Sequence, residues 1–400
     1  MLNGKTIILG VTGGIAAYKS VELLRLLTKA GADVHVVMTR SAQEFVTPLT
    51  FQTLSHNPVH TDLFNLIAER EIGHISLADR ADLCVIAPAT ANVIGKLANG
   101  IADDMLTTTV MATTATVLLA PAMNVNMYRN AIYRENEERL RRHGLLFVDP
   151  VKGELACGWE GEGKLQAPGI IFEEVVKALT PPDLAGERIL ITAGPTREEI
   201  DPVRFVSNHS SGKMGYAMAR TAWRRGARVI LVSGPTSLPA PWGVEMAPVE
   251  SAEEMYRMVM ARAGECGVVI KAAAVADYRP VVRAGEKIKK QGDVMTLEMA
   301  RNRDILTELG KEKGGRLLVG FAAETTDLLT NARKKLAAKN VDLLVANDVT
   351  EAGAGFSVDT NIVRLLYRGG RVEEPGIMSK EAVANLILDR VAALRTEQEE

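Results

Sequence analysis

The sequence predicts an α/β protein with two Rossmann-like domains built on parallel sheets, and three observations lead to this prediction. A strand–glycine turn–helix–strand unit lies near the N-terminus, and the same pattern restarts after residue 186. The candidate strands are continuous apolar runs, as expected for strands that helices cover on both faces. We therefore expect one domain over residues 1–186 and a second over residues 187–400.

Length and composition fit this organisation. The chain has 400 residues, of which 47% are hydrophobic and 24% charged, and its formal net charge is −2. This balance argues against nucleic acid and membrane surfaces as partners, and no apolar run reaches the roughly 18 residues of a spanning helix. The chain has only three cysteines, without a disulfide pattern, which indicates a reducing compartment. We expect a cytoplasmic protein.

The first elements follow from apolar spacing and glycine positions. An apolar strand over residues 6–10 enters a glycine turn. Three glycines interrupt this stretch, which indicates a buried strand rather than a signal peptide. Val21, Leu24 and Leu27 have helical spacing and predict a helix that Gly31 ends. The run "DVHVVM" is the next strand.

Two further strands complete the first half. They are "LCVIAPA" near 83–89 and "TVLLAPAM" near 116–123, and each has Pro-Ala near its carboxyl end. In open α/β sheets, ligands bind outside the carboxyl ends of the strands. We therefore expect a binding site where these two runs end.

The second half repeats the pattern after a break. The stretch "TPPDLAGE" around 180–187 has two prolines and a glycine and is typical of a linker. The strand "RILITAG", a long loop, a helix over 212–225 ended by Gly226, and the strand "RVILVSG" follow. Three more strands are predicted near 267–272, 316–321 and 341–346.

The turn "GVTGGIA" lies between a strand and a helix, where backbone N–H groups and the helix dipole can hold a phosphate. A glycine turn alone is weak support, because a plain tight turn has the same composition. The motif is not GxGxxG, and the second strand ends in Thr39 and Arg40 where an NAD site has an acid. NAD is therefore disfavoured, while a mononucleotide such as FMN, or NADP, remains open.

Three more features narrow the choice. His74 in "GHIS" precedes a strand, Asn124 ends another in "APAMNVNMY", and Cys157 lies in the glycine-rich stretch "LACGWEGEGKL". The segment "APATANVIGKLANGIADD" follows the strand near 83–89. Each has an ordinary reading as well, since a lone histidine is more often a surface residue than a base and a loop cysteine is often a plain surface thiol.

Together, "GHISL", "PATAN", "PAMN" and "ACG" resemble the homo-oligomeric flavin-containing cysteine decarboxylases, and within them phosphopantothenoylcysteine decarboxylase, over nearly all of residues 1–180. The resemblance implies that Cys157 is a proton donor on a flap, that His74 is the basic residue, and that Asn124 grips the substrate carboxylate. It implies that flavin oxidises the substrate thiol, so that the carbanion formed on loss of carbon dioxide has an electron sink. The implied FMN residues are Thr12, Gly13, Gly14, Ile15, Ala16, Thr39, Pro88, Ala89, Thr90, Asn92, Ala122 and Met123.

In the second half, "DPVRFVSNHSSGKMG" places small polar residues at a helix start, which suits a phosphate, although an ordinary serine cap has the same pattern. Asp277 ends a strand, and "EKIKK" then supplies Lys287, Lys289 and Lys290. A lysine cluster is usually a solvated face. An acid followed by several lysines is also what a magnesium-bound triphosphate needs.

This half resembles phosphopantothenate–cysteine ligase over almost its whole length, through "GPTREEIDPVRFVSNHSSGKMG", "AAVADYRP", "EKIKK", "GFAAET" and "ANDV". The resemblance implies that CTP activates the carboxylate of 4′-phosphopantothenate as an acyl-cytidylate, which Asn208 holds and the amine of cysteine attacks. Asp277 is the expected Mg²⁺ ligand, and Lys287 the expected catalytic lysine. The implied CTP residues are Lys271, Ala272, Ala273, Asp277, Lys287, Asn302, Arg303, Asp304, Ile305, Leu306, Phe321, Lys335 and Lys339, and those for the substrate phosphate are Ser210, Ser211, Gly212 and Lys213.

One position departs from the family pattern. Asn-Pro-Asp-Ile appears here as Asn-Arg-Asp-Ile, with Arg303 in place of proline. Losing the proline frees a backbone N–H and loosens φ in this loop.

The two halves resemble enzymes of consecutive steps, ligation and then decarboxylation to 4′-phosphopantetheine, so the chain resembles the bifunctional family of coenzyme A biosynthesis. Two alternatives stay open: a different flavin enzyme of the same fold, such as a prenyltransferase, and a non-catalytic regulatory flavoprotein. The presence of His74, Asn124 and Cys157 weighs against the first alternative, and the presence of His74 and Cys157 weighs against the second. The resemblance implies a homo-oligomer, a dodecamer of decarboxylase trimers with dimeric ligase domains. The residues alone do not separate CTP from ATP.

Overall fold

The computed structural model describes residues 1–63, 73–154, 158–290, 293–324, 328–348, 355 and 358–399. It divides into two compact units, Met1–Thr180 and Pro181–Glu400. Both are α/β units with largely parallel sheets, so the predicted fold class is confirmed.

The first unit has a six-stranded parallel sheet with helices between its strands. Its sheet strands are β1 (Thr6–Val11), β2 (Asp33–Met38), β3 (Val59–His60), β4 (Leu83–Ala89), β5 (Thr116–Pro121) and β6 (Leu146–Phe147), and the hairpin strands are β7 (Val151–Glu154) and β8 (Glu160–Lys164). Its helices are α1 (Tyr18–Lys29), α2 (Pro48–Ser55), α3 (Gly73–Arg80), α4 (Ala91–Ala98), α5 (Met105–Ala112), α6 (Val125–Arg129), α7 (Ala131–Arg142) and α8 (Pro168–Leu179).

The strand order of this sheet is β3-β2-β1-β4-β5-β6. All seven residues of β4 are buried, as the continuous apolar run predicted. Successive residues of β4 serve opposite faces, since Val85 packs in one core cluster and Ile86 in another. The chain order reverses between β1 and β4, which opens a crevice at their carboxyl ends.

The second unit has a larger sheet with an antiparallel edge. Its strands are β9 (Arg188–Ala193), β10 (Arg197–Glu199), β11 (Phe205–Ser207), β12 (Arg228–Ser233), β13 (Glu245–Pro248), β14 (Val268–Lys271), β15 (Tyr278–Pro280), β16 (Met299–Arg301), β17 (Leu317–Glu324), β18 (Leu343–Asp348), β19 (Thr360–Tyr367), β20 (Val372–Glu373) and β21 (Ile377–Ser379). Its helices are α9 (Lys213–Arg224), α10 (Ala252–Ala263), α11 (Ile305–Lys311), α12 (Leu328–Ala338) and α13 (Lys380–Glu399).

The main sheet has the order β13-β12-β9-β14-β17-β18-β19-β20, with β21 beside β19. The strands from β13 to β18 are parallel, and β19 runs antiparallel to β18. The reversal of chain order lies between β9 and β14. Two short hairpins, β10–β11 and β15–β16, stand apart from the main sheet.

The division between the units lies a few residues before the predicted boundary. Leu184 is buried in the core of the second unit, and Asp183 forms an ion pair with Arg225. Gly226 has a φ of +90° at the end of α9, as the predicted helix end requires, and a side chain there would approach Pro182. Residues 181–186 are therefore part of the second unit's packing rather than a free linker.

Candidate active sites

One cavity of the first unit opens at the carboxyl ends of β1, β4 and β5, beside the reversal of strand order. Its volume is about 580 Å³. The predicted FMN residues that line it are Thr12, Gly13, Gly14, Thr39, Thr90, Asn92, Ala122 and Met123. Lining residues that the sequence analysis did not assign to it are Arg40, Ser41, Ala91, Val93, Lys96, Asp104 and Met127.

Hydrogen bonds fix the walls of this cavity. The Thr12 hydroxyl donates to the carbonyl of Pro88 at 2.7 Å and accepts from the N–H of Thr90 at 3.1 Å, so it joins the ends of β1 and β4. Pro88, Ala89, Ile15 and Ala16 were also predicted to contact the cofactor, but they are not among the lining residues. Pro88 and Ala89 lie within β4 instead.

Two features leave the cavity open to a polar ligand. The Thr39 hydroxyl is buried, and no described residue forms a hydrogen bond with it. A Cβ at Gly13 would come within 2.3 Å of the Ser41 Cβ, so only glycine fits there, and Gly14 supplies no side-chain cap to the helical turn that follows it. The turn thus presents backbone rather than side chains to the cavity.

Lys96 is an additional charged group in this cavity. Its ammonium donates to Asp103 at 2.6 Å and to Asp104 at 3.3 Å. Asp104 also caps α5, where its carboxylate accepts from the N–H of Thr107 at 2.8 Å. The lysine is therefore held in place by two carboxylates at the cavity wall.

The predicted catalytic residues lie on separate elements. Asn124 is the N-cap of α6, and its Oδ1 accepts from the N–H of Asn126 at 2.8 Å. It follows Met123, which lines the cavity, but neither Asn124 nor His74 is among the lining residues. His74 is on α3, where its Nδ1 is buried and no described residue bonds it. Cys157 lies outside the described residues.

A cavity of the second unit, about 480 Å³, opens toward the carboxyl ends of β14, β17 and β18 and at the start of α9. The predicted ligand residues that line it are Asn208, Ser210, Ser211, Gly212, Lys213, Lys271, Ala272, Ala273, Asp277, Leu306, Phe321, Lys335 and Lys339. Lys287, Asn302, Arg303, Asp304 and Ile305 are not among the lining residues. The unpredicted polar residues in the lining are Ser207, His209, Asn347, Asn361 and Lys380.

One side of this cavity is positively charged. Lys271 ends β14, and Lys335 and Lys339 come from α12 and its end. Burial, and then the positive charge of Lys339, lower the pKa of Lys271 to about 8. Lys339 forms an ion pair with Asp304 at 2.8 Å, and Asp304 caps α11. Asp304 thus positions the Lys339 ammonium at the cavity without lining the cavity itself.

The opposite side is the start of α9. Gly212 is its N-cap with a φ of +78° and provides no side-chain cap, so the first N–H groups of the helix face the cavity mouth. The Ser210 hydroxyl accepts from the N–H of Gly212 at 3.3 Å. Asn208 donates its amide to the carbonyl of Ala274 at 2.9 Å, which links the loop before α9 to the end of β14.

The lysine-rich segment "EKIKK" is largely exposed, but hydrogen bonds hold its backbone in place. The N–H of Ile288 donates to Asp201 at 3.1 Å, and its carbonyl accepts from Arg204 at 3.1 Å. Asp201 is buried, and hydrogen bonds from the Arg204 guanidinium hold the pKa of its carboxyl well below the usual range. Lys287 is therefore held against the loop that leads into the cavity without lining it.

Arg303, which stands where the family pattern has proline, is held by contacts with α10. Its guanidinium carbon lies 4.9 Å from the centre of the Tyr256 ring, and its Nε lies 4.0 Å from Glu253 on the same helix, α10. The preceding Asn302 donates to the carbonyl of Ala276 at 2.8 Å. These contacts hold the loop without the fixed φ of proline.

We expect Arg303→Ala to loosen the start of α11. An exposed cation–π contact is worth about 0.5–1 kcal/mol, so amide exchange in the first turn of α11 should rise roughly two- to five-fold. Hydrogen exchange of the full chain measures this. The matched control is Arg257→Ala, which removes an exposed α10 arginine that also pairs with Glu253. Equal exchange in both variants would show that Arg303 does not hold the loop.

The described residues contain no helix that is both long and apolar enough to cross a membrane, and no cluster of three His, Cys, Asp or Glu side chains that could hold a metal. Asp277 is exposed at the cavity and is one carboxylate rather than a metal cage.

Comparison with known proteins covers both units. The family model described as Flavoprotein matches residues 1–180, and the model described as DNA/pantothenate metabolism flavoprotein C-terminal domain matches residues 184–394. The "Coenzyme A biosynthesis bifunctional protein CoaBC" of Bacillus subtilis (strain 168) is 53% identical over 398 residues, which are 98% of each chain. Its counterpart in Escherichia coli (strain K12) is 47% identical over 395 residues, 98% of this chain and 97% of the other.

Among solved structures, the C-terminal domain of a CoaBC protein shares 46% sequence identity with this chain. The match covers 54% of this chain and 99% of the other, with a TM-score of 0.47. The resemblance read from the motifs is confirmed by the full-length relatives. Since their identity extends over nearly the whole sequence, the chain belongs to the CoaBC family of bifunctional coenzyme A biosynthesis proteins.

Proposed function

We propose that the second unit joins cysteine to 4′-phosphopantothenate with CTP, and that the first unit decarboxylates the product, phosphopantothenoylcysteine, with FMN. The protein is a bifunctional enzyme that makes 4′-phosphopantetheine in coenzyme A biosynthesis, as decarboxylase and ligase. The observation that carries the assignment of residues is the pair of cavities. Each lies where the strand order of its sheet reverses, and each is lined by residues that the corresponding resemblance implies.

The residues of the first cavity fit FMN. The glycine turn at 13–14 offers backbone to one phosphate, and the buried Thr39 hydroxyl has hydrogen-bonding capacity left for a ligand. When bound, FMN supplies the oxidation of the substrate thiol that makes loss of carbon dioxide feasible. Asn124 binds the substrate carboxylate, His74 acts as the base, and Cys157, by the resemblance, returns a proton.

In the second cavity, the triphosphate of CTP binds the ammonium groups of Lys271, Lys335 and Lys339. Mg²⁺ usually uses one or two carboxylates together with substrate phosphates, which Asp277 at the rim allows. The start of α9, with Ser210, binds the phosphate of 4′-phosphopantothenate. These positions put the nucleotide and the substrate phosphate at two ends of one cavity. Asn208 between them holds the acyl-cytidylate, and Lys287 stabilises charge on the departing pyrophosphate.

Assembly and location follow the resemblance. We propose a dodecamer in which first units form trimers and second units form dimers. Ile15, Tyr18 and Leu49 are large apolar side chains that are at least half exposed on the first unit, as a surface that meets another copy would be. Cys84 and Cys266 are free, which supports a reducing cytoplasm. Light scattering of the purified protein measures the assembly.

FMN titration tests the first cavity. We expect purified protein to quench FMN fluorescence on binding and to bind riboflavin, which lacks the phosphate, far more weakly. Thr39→Val should weaken FMN binding about ten-fold, because it removes one hydrogen bond from a buried site. Thr47→Val is the control, since Thr47 is exposed, its hydroxyl shares a hydrogen bond with Thr50, and it does not line the cavity. Equal affinity for FMN and riboflavin would contradict a phosphate cradle in this cavity.

Nucleotide binding should take up protons above pH 8. The pKa of Lys271 is lowered to about 8, so below pH 8 this lysine is charged before and after CTP binds. Above pH 8 the free lysine has lost its proton, and the triphosphate favours regaining it, so CTP affinity should fall as pH rises through this range. Calorimetry at pH 8.5 in buffers of different ionisation enthalpy measures the uptake. The same uptake in Lys271→Met would show that another group is responsible.

A further inference from the structure

A second pair of lysines lies at the α9 side of the ligase cavity, away from the nucleotide lysines. Lys213 is the first residue of α9 and Lys380 the first of α13, and both line the cavity. The side chain of Lys213 is one-third exposed, whereas Lys380 is only 8% exposed. Burial, and then the charge of Lys213, lowers the pKa of Lys380, so the two ammonium groups sense each other. Such a pair favours an anion.

Lys380 is tied to the start of β19. Its ammonium donates to the carbonyls of Gly355 at 3.3 Å, Thr360 at 3.2 Å and Val358. Its backbone N–H donates to the carbonyl of Asp359 at 2.9 Å. Through Val358 and Thr360, Lys380 therefore fixes the backbone at the start of β19 from its place in the cavity wall.

Two residues at the start of β19, Asp359 and Asn361, lie near the proposed phosphate site at the start of α9. Asp359 accepts from the Lys213 ammonium at 2.7 Å. Asn361 is 4% exposed and lines the cavity, and its Oδ1 accepts from the N–H of Ile362 at 3.1 Å. The Asn361 amide nitrogen has the Met214 sulfur, 4.0 Å away, as its acceptor, and a thioether is a weak one. A buried amide donor thus has capacity left at the cavity wall.

We propose that Lys380 is a positioning residue for the substrate phosphate in the ligase reaction, because it fixes the segment from which Asn361 donates its amide to that phosphate. The proposal rests on the proposed function and adds Asn361 and Lys380 to the phosphate site at the start of α9. A phosphate dianion competes with the Asp359 carboxylate for Lys213. The Asp359 carboxylate can release the Lys213 ammonium, because its side chain is 89% exposed and can turn into solvent.

Steady-state ligation by the full chain tests this. Lys380→Met should raise the KM for 4′-phosphopantothenate at least ten-fold while the KM for CTP and kcat change less than about three-fold. Lys380→Arg should restore part of the loss. Asn361→Asp keeps the size of the side chain and replaces the donor with an anion, so it should raise the same KM even if Lys380→Met folds poorly. The control is Lys311→Met, an exposed lysine on α11 outside the cavity lining.

The results distinguish failure of the Lys380 proposal from failure of the proposed ligase function. A selective rise in the KM for 4′-phosphopantothenate in both variants supports the proposal. Normal ligation with an unchanged KM in both, or an equal rise in the KM for CTP, overturns it and leaves the proposed function standing. If the unaltered protein forms no phosphopantothenoylcysteine, the proposed function fails and this proposal fails with it.

Discussion

An Asn124→Asp variant will keep its fold and its flavin and lose roughly 10²–10³ in decarboxylation rate. Asn124 caps α6 through its Oδ1, and aspartate is an equally good N-cap, so the helix start should persist. The amide donor, however, becomes a negative charge facing the substrate carboxylate. A lost hydrogen bond to a charged group costs about 1.5–3 kcal/mol, and like-charge repulsion adds to it.

Asn130→Asp is the matched control for this variant. Asn130 caps α7 in the same way, accepting from the N–H groups of Ile132 at 2.9 Å and Tyr133 at 3.4 Å. Unlike Asn124, which follows the lining residue Met123, Asn130 has no lining residue next to it in the sequence. Its decarboxylation rate on supplied phosphopantothenoylcysteine should equal that of the unaltered protein. If Asn124→Asp decarboxylates at the same rate as Asn130→Asp, Asn124 is a helix cap and nothing more.

The second large effect is expected at Lys271. Lys271→Met should slow ligation by roughly 10²–10³, because one preorganised donor is removed from the charge that develops on the departing pyrophosphate. Methionine is an unbranched side chain of similar size to lysine and suits the half-buried end of β14 between β9 and β17. Since burial disfavours the charged lysine, the melting temperature should stay the same or rise.

Lys334→Met serves as the control, because Lys334 is an exposed residue of α12 that does not line the cavity. It should ligate normally. Coupled release of pyrophosphate with CTP, cysteine and 4′-phosphopantothenate measures both variants. Ligation by Lys271→Met within a few-fold of Lys334→Met would remove Lys271 from the nucleotide site.

Much of the fold could be predicted because parallel strands leave a simple signal. The seven buried residues of β4 appear as one apolar run, and β9, β12 and β14 are equally plain. The cavities could be anticipated as well, since Thr12, Thr90 and Lys271 stand directly at strand ends.

Residues that reach a site through tertiary packing gave no local signal. Lys380 and Asn361 lie far from the motifs in sequence. Asn361 reaches the cavity because β19 pairs antiparallel with β18, and Lys380 reaches it because β21, which directly precedes α13, pairs with β19. The contact of Arg303 with Tyr256 joins the loop before α11 to α10, which is separate from it in sequence. The exposed position of Lys287 depends on the Asp201–Arg204 pair, which spacing does not reveal.

One time course tests whether this chain carries two separate active sites for consecutive reactions. The unaltered protein, Asn124→Asp and Lys271→Met are each incubated with 4′-phosphopantothenate, cysteine, CTP, Mg²⁺ and FMN, and all masses are followed. We expect the unaltered protein to form 4′-phosphopantetheine, Asn124→Asp to accumulate phosphopantothenoylcysteine, and Lys271→Met to form neither while still decarboxylating supplied phosphopantothenoylcysteine. Loss of both reactions in either folded variant would contradict two separate sites.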